Sequence, residues 1–459
     1  MAHRAVHLHG SFGLALVLVL AASCAGPNKL AQQSEKAYRS GDVEKAYDKA
    51  AKAVRKDPEN VKARAALTQA AARLYDIRKS EIHALAASDT VAAADRLEAL
   101  DRFRDEVSGY RIPLPPDSAF AREERAIRSG AAGIEYAAGR DDLENGRPKR
   151  AYDEFTRAHS YDASYRDLDR RIEQAYDEAR PRVALVPFAN QTDLAVLSKE
   201  FSDRAYQEVA WRVTREGFRF TAMLPREEVY AVVPVSLLDR MSRREAVRIA
   251  RQLGADRVIV GRFFGVRSST ETGDFSETVY RRVADKDEKG AERVRYVPQT
   301  IEFVSRNRDL SVGYEYQILD VADGSAVRGN SGTMGTSAHI LFTSAQVTGD
   351  ADDYCLAPPD LRKSDPDRAK RIDADWTERC GGWKLAEILE RARKNKDRAS
   401  YHARYRDEFG PNRSERAVFL GDVPPEEDLA RVSFGQVVEP LVRSLREVDR
   451  EEPRGPAVP

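Results

Sequence analysis

Along the 459-residue chain the period of the apolar positions changes, and each change predicts a different kind of structure. From Asn28 to Arg180 alanine, glutamate, lysine and arginine dominate and strand formers are scarce, which predicts helix throughout. From Pro181 onward short apolar runs alternate with helical patterns. Val183 to Phe188 reads as a strand ending in a polar turn. Ser198 is placed to cap a helix whose Phe201, Ala205, Val209 and Val213 recur about one turn apart, and Gly217 stops it. FRFTAM follows as a strand, and Pro225 opens a short helix through Val233. In SRREAVRIARQLGADRVIVGRF, Ala246, Ile249, Ala250 and Leu253 make one apolar face, Gly254 caps it, and Arg257 to Val260 is a buried strand. Val312, Tyr314, Tyr316 and Ile318 then alternate onto one face, and Asp323-Gly324 turns the strand into a hairpin. Past residue 350 the pattern thins into a polar insertion. It holds one amphipathic helix, through Leu385, Ile388, Leu389 and Ala392. FGQVVEPLVRSLREV predicts a last helix packing back on the α/β region, and residues 451–459 read as a disordered tail.

Within the helical third, AYRSGDVEKAYDKAAKAVRKDPEN is the most specific stretch. Gly41-Asp42 makes a tight turn, and Ala46, Ala50 and Ala53 put small side chains on one face where a neighbouring helix can approach. Pro58 ends the second helix through its restriction of Asp57. The spacing resembles a tetratricopeptide repeat. ENGRPKRAYDEFTRAHSYD repeats the offsets with Gly146, Ala151, Phe155 and Ala158, without a closing proline. Val61 to Leu85 continues the stack in degenerate form, and IPLPPDS, residues 112–118, interrupts it as a stiff connector. Two readings stay open: a spacer bundle, or a groove that holds a partner's peptide.

The segments VALVPFANQTD, LGADRVIVGRF and YQILDVADGSAV occur in that order between Arg182 and about Gly332. Together they resemble the domain shared by the curli secretion-channel lipoproteins (CsgG-like) and the LpoB-type activators of peptidoglycan synthases. The resemblance implies a CsgG-like α/β sandwich that binds or assembles with envelope partners. In the curli channel two hairpins per subunit line a membrane barrel, and the matching positions here are about Arg262 to Asp309 and Gly329 to Gly349. A membrane strand needs about ten residues with one uncharged face. Arg281 to Arg295 is densely charged and fits a water-exposed hairpin, whereas NSGTMGTSAHILFTSAQVTG carries no charge and is the better candidate.

The N-terminus changes the expected location. A basic head at Arg4, an apolar run from Phe12 to Leu20 and the small residues Ala21-Ala22-Ser23 have the layout of an export signal. Cys24 follows at once, and the arrangement resembles a bacterial lipobox, which implies acylation of Cys24. Ala25 beside it implies an outer-membrane anchor facing the periplasm. Ordinary cleavage near Ser23 is the alternative. Of three cysteines, Cys355 and Cys380 then remain, and in an oxidising compartment they are expected to pair as a disulfide, two free thiols being the alternative.

Lysine plus arginine equals aspartate plus glutamate at 75 each, so the whole chain does not ask for nucleic acid. The sequence carries no zinc, nucleophile-elbow, P-loop or dinucleotide pattern, and the glycines at 329, 332 and 335 read as aids to strand packing. No catalytic residue, cofactor or metal ligand is assigned. The expected organisation is a signal at 1–23, tetratricopeptide-like helices at 24–180, the α/β domain at 181–349, a charged insertion at 350–415, a C-terminal helix at 416–450 and the tail. The fold class is α+β multidomain. The expected function is a non-enzymatic envelope scaffold or activator with protein partners, membrane-bound through Cys24. A ring-forming secretion-channel subunit, and so a homo-oligomer, is the alternative.

Overall fold

The computed structural model describes residues 26–286, 288, 290–394, 398–405, 414–420 and 423–452, with 398–405 and 414–420 as backbone. Cys24, the signal before it and residues 453–459 lie outside the described residues. The chain is α+β, and it divides into two compact units between Ala179 and Arg180.

The first unit is helical: α1 Pro27–Arg39, α2 Val43–Lys56, α3 Val61–Ala86, α4 Thr90–Gly109, α5 Ser118–Glu144, α6 Pro148–Tyr161 and α7 Leu168–Ala179. Four of these helices start the same way. The carboxylates of Asp42, Asp89 and Asp117 and the amide oxygen of Asn60 accept the N–H three residues on, satisfying donors that a helix start leaves open. Gly41 and Gly146 turn the chain at positive φ, +82° and +68°. Ala46, Ala50 and Ala53 are fully buried on α2, and Ala151, Phe155 and Ala158 on α6. The second hairpin accommodates a phenyl ring where the first has Ala50. Gly139 on α5 makes the room, since a Cβ there would lie 2.8 Å from the Phe155 ring. Pro58 stands exposed in the α2–α3 turn. Residues 112–117 connect α4 to α5 without regular structure.

The second unit is built on one mixed sheet ordered β3-β1-β4-β5-β6-β8-β9, with β2 and β7 also on β4. The strands are β1 Arg182–Leu185, β2 Ala189–Asn190, β3 Ala222–Met223, β4 Arg257–Lys286, β5 Glu292–Asp320, β6 Ala326–Phe342, β7 Tyr354–Cys355, β8 Arg398–Tyr405 and β9 Ser414–Leu420. Its helices are α8 Lys199–Arg215, α9 Arg226–Val232, α10 Arg243–Gln252, α11 Pro359–Ser364, α12 Pro366–Arg379, α13 Leu385–Lys394, α14 Glu426–Ser433 and α15 Gly435–Arg450. Alternation along the strands feeds two cores. Val183, Leu185, Ile259, Phe263, Val312, Tyr314, Tyr316 and Ile318 pack with α8, α14 and α15. Ala184, Val186, Val258, Val260 and Leu319 pack on the opposite face with α9 and α10. Ser198 occupies the N-cap of α8 as expected, but its hydroxyl accepts from the Asn190 amide instead of capping the helix.

The largest departure from expectation is the length of β4 and β5. They stay paired from Arg257↔Asp320 to Lys286↔Glu292, a hairpin about 100 Å long at roughly 3.3 Å per residue. Residues 257–263 with 312–320 form its base, and 265–286 with 292–311 its arm. Gly265, at φ +61°, sits in the irregularity between Phe264 and Arg267 that separates them. The charged tip is exposed.

Four expectations are corrected. Residues 329–349 are not a hairpin: Gly329 to Phe342 belong to the single strand β6, between β5 and β8, with Met334, Ala338 and Ile340 in the core. The glycine role expected there holds in geometry, since a Cβ on Gly335 would meet Leu310 O at 2.5 Å. The insertion has a core of its own, in which Trp376, Trp383, Leu385, Ile388 and Leu389 cover Val279, Ile301 and Phe303 of the arm. Cys355 and Cys380 are free thiols. Tyr354 turns into that core beside Cys380, and strand alternation sends Cys355 to the other face, where its Sγ donates to Tyr280 O at 3.6 Å. Residues 414–420, partly assigned to a terminal helix, are strand β9, and the helix comes in two pieces, α14 and α15.

Candidate functional site

Each unit presents a recess lined by binding-type side chains. In the helical unit it is a groove of about 360 Å³ between α2, α3 and α4. On α2, Glu44, Tyr47 and Asp48 follow the i, i+3, i+4 spacing that brings side chains together on one face. Arg78 reaches in from α3, and Arg102, Phe103 and Glu106 from α4. The Tyr47 and Phe103 rings meet at 5.2 Å, and the Arg78 guanidinium lies 4.4 Å above the Phe103 ring. Burial, and then the Glu106 carboxylate, pushes the Tyr47 pKa up, so the floor stays neutral below a charged rim. The alanines and glycines found from the repeat pattern hold these helices together and do not line the groove. Its lining residues were missed because repeat spacing reports packing faces only.

Between α5 and α6 a second polar cluster is centred on a buried carboxylate. Asp142, 4% exposed, holds Arg147 and Arg150. Burial, and then Asp142, pushes Glu154 up to about 7. Glu135 is also raised by burial, against the opposing charge of Arg157.

In the sheet unit a cleft of about 890 Å³ opens beyond the C-terminal end of β1. Its wall includes Asn190, Gln191, Arg262 and Gln317, and its lip is Asp239 to Arg243. The Asn190 amide is spent on the fold: Oδ1 accepts from Thr192 N–H and hydroxyl, and Nδ2 donates to Leu194 O. The ANQTD turn is therefore an Asx turn. Arg262 pairs with Glu315 at 2.7 Å across the ladder, and Gln317 Oε1 is buried without a partner among the described residues. Sequence reasoning passed over Arg240 and Arg243, although the run RMSRR was a readable signal.

Among the described residues no group of three His, Cys, Asp or Glu side chains is arranged to hold a metal ion. The histidines are dispersed in the structure: His83 meets Glu123 at 2.6 Å, and His339 meets Ser305 at 2.9 Å. No described helix is long and apolar enough to cross a membrane.

No family model matches the chain, and no curated protein matches it. Among solved structures it is similar to a single-substitution variant of the PelC dodecamer from Paraburkholderia phytofirmans. The identity is 16%, covering 34% of this chain and 73% of that one, with a TM-score of 0.17.

Proposed function

We propose that the chain is an envelope lipoprotein that works by binding, as a scaffold or activator held at the outer membrane by acylated Cys24. The observation that carries this reading is the groove of Tyr47, Arg78 and Phe103, an aromatic floor rimmed by both signs of charge. Such a recess suits an extended peptide with one apolar anchor and charged flanks. On this reading the helical hairpins are tetratricopeptide-like repeats, with Gly41, Ala46, Ala50, Ala53 and Pro58, then Gly146, Ala151, Phe155 and Ala158, as packing residues. The sheet unit is CsgG-like or LpoB-like, supported by the neighbouring positions of the three resembling segments in β1, β4 and the β5–β6 turn. The lipid anchor raises the effective concentration of the groove toward membrane-bound partners. The test is photocrosslinking in the native envelope from positions 44 and 48 on the groove rim. One discrete partner band, lost when Arg78 and Arg102 are both changed to Glu, is expected. Crosslinks no different from those of a site on the exposed hairpin tip would sink the reading.

A second reading, a ring-forming channel subunit, is favoured by the length of the β4–β5 hairpin. Charge opposes it: Arg267, Glu271 and Asp274 fall on both faces of the arm. Light scattering of the detergent-extracted chain separates the two readings. A monomer or dimer fits the scaffold, and a closed ring of many subunits fits the channel.

A further inference from the structure

We propose that residues 235–251 form a membrane-docking face that takes anionic phospholipid headgroups, an inference that rests on the lipoprotein reading above. Two independent features meet there. The first is charge. Ala246, Val247, Ile249 and Ala250 fasten α10 to the sheet, so its outer side carries Arg244, Arg248 and Arg251 at i, i+4 and i+7 as one stripe. Arg240 and Arg243 stand beside that stripe at the start of the helix, and all five arginines are exposed. Nearby carboxylates offset only part of their charge: Asp239 lines one recess with Arg240 and Arg243, and Asp323 lines the other with Arg243, Arg244, Arg248 and Arg251. Among the described residues Arg240, Arg243 and Arg244 have no ion-pair partner. Arg248 faces Glu245, which stays charged while it accepts from the N–H and hydroxyl of Ser242 at 3.0 and 2.6 Å, so Arg248 is partly offset. Arg251 donates to the carbonyls of Val321 and Ala322 at 3.0 and 2.8 Å and keeps its charge.

The second feature is apolar. Val235 stands 84% exposed just ahead of the arginines, with Leu237 and Leu238 half-buried behind it. Two open recesses, about 890 and 760 Å³, flank Ser242 and Arg243 and share both residues. They give phosphate-sized groups access to the guanidiniums from two sides. The helix N-terminus itself is closed by the Ser242–Glu245 capping box, so recognition falls on the arginine forks, whose geometry suits phosphate. A soluble polyanion or acidic protein would use the arginines and leave Val235 in water. A bilayer interface uses both, with the apolar tip at the headgroup–acyl boundary and the arginines among the phosphates.

The test uses the full chain, extracted and mixed with phosphatidylcholine vesicles that contain or lack phosphatidylglycerol. Flotation is read together with backbone hydrogen exchange over residues 234–252. The expected result is flotation with both vesicle types and several-fold slower exchange on the anionic vesicles alone. That slowing should be lost in Arg240→Glu/Arg243→Glu/Arg244→Glu/Arg248→Glu, reduced in Val235→Asp, and absent when free glycerol phosphate replaces the lipid. All five substituted positions are exposed, and circular dichroism checks that each variant is folded. Flotation with both vesicle types and identical exchange on each would overturn the docking face and leave the anchor standing. Flotation with anionic vesicles alone would sink the anchor and support the docking face. Flotation with neither would overturn both.

Discussion

The base and the arm of the β4–β5 hairpin are made by the same two strands, yet they are held in different ways. At the base both faces are covered, by α8, α14 and α15 on one side and by α9 and α10 on the other. In the middle of the arm, residues 267–274 of β4 are exposed on both faces. Farther out the insertion covers the arm through Trp376 and Trp383. The backbone ladder is continuous over the whole length, so hydrogen bonding alone does not distinguish the parts. Side-chain burial along β4 does. On β5 opposite, Leu310 belongs to the base core and β6 pairs alongside. The two ends should behave as separate cooperative units joined on β4 by an exposed stretch.

The largest expected effect is at the base. Phe201 touches Phe188, Phe263 and Phe434, with ring centroids 5.2, 4.7 and 5.1 Å away. Phe201→Ala should cost about 3–5 kcal/mol, read as a fall in urea midpoint across the sheet unit. Trp376→Ala removes a comparable ring from the arm, one that packs on Phe303 at 5.1 Å and donates to Trp383 O at 2.8 Å. Its loss should stay local: hydrogen-exchange protection should vanish over residues 275–303 and 366–392 and persist over 257–263. If protection collapses at the base as well, the hairpin is one unit and the comparison is wrong.

The base was legible in the sequence because each of its strands advertises a period. The pairs Val183/Leu185 and Ala184/Val186, and the run Val312 to Ile318, alternate with no charge on the buried side. The arm was not legible for the opposite reason. SSTETGD has no apolar face, and in VYRRVADKDEKGAERVRYV Val279 is the one buried residue among those described, so neither leaves a periodic trace. Its far end becomes buried only because the insertion returns to it from about 70 residues later along the chain, as Phe303 meeting Trp376 shows. The repeat pattern likewise disclosed the packing alanines but not the groove. The Cys355 and Cys380 pairing was expected from compartment alone, and strand alternation sets the two thiols apart.

A smaller effect distinguishes how the base is closed. Asp449, near the end of α15, accepts from the N–H groups of Arg219, Phe220 and Thr221 at 2.9, 2.9 and 2.7 Å. Burial pushes its pKa up, but these bonds outweigh it and the net shift is downward. The native state thus prefers the charged form. Its stabilising contribution is complete above the ordinary carboxylate range and is lost as pH falls through the lowered value. Asp449→Asn should cost about 1–3 kcal/mol at neutral pH, and the difference from the parent should shrink in acid. A difference that does not change with pH would mean that the carboxylate charge contributes nothing there.

The smallest effect is expected in the middle of the arm, and it bears most directly on whether that region stands bare. Glu271, opposite Asn307 in the ladder, is exposed on its strand and has no ion-pair partner among the described residues. With no packing to lose, Glu271→Ala should change stability by no more than about 0.5 kcal/mol. Dilution should leave that value unchanged. A long, uncovered strand edge is a template for pairing with another chain unless charge discourages it, and Arg267, Glu271 and Asp274 are the charges that stand there. A loss above about 1 kcal/mol that grows with protein concentration would mean that a second copy covers the mid-arm. The polar middle would then be an interface as firmly held as the base, and the distinction between the two regions would belong to the isolated chain alone.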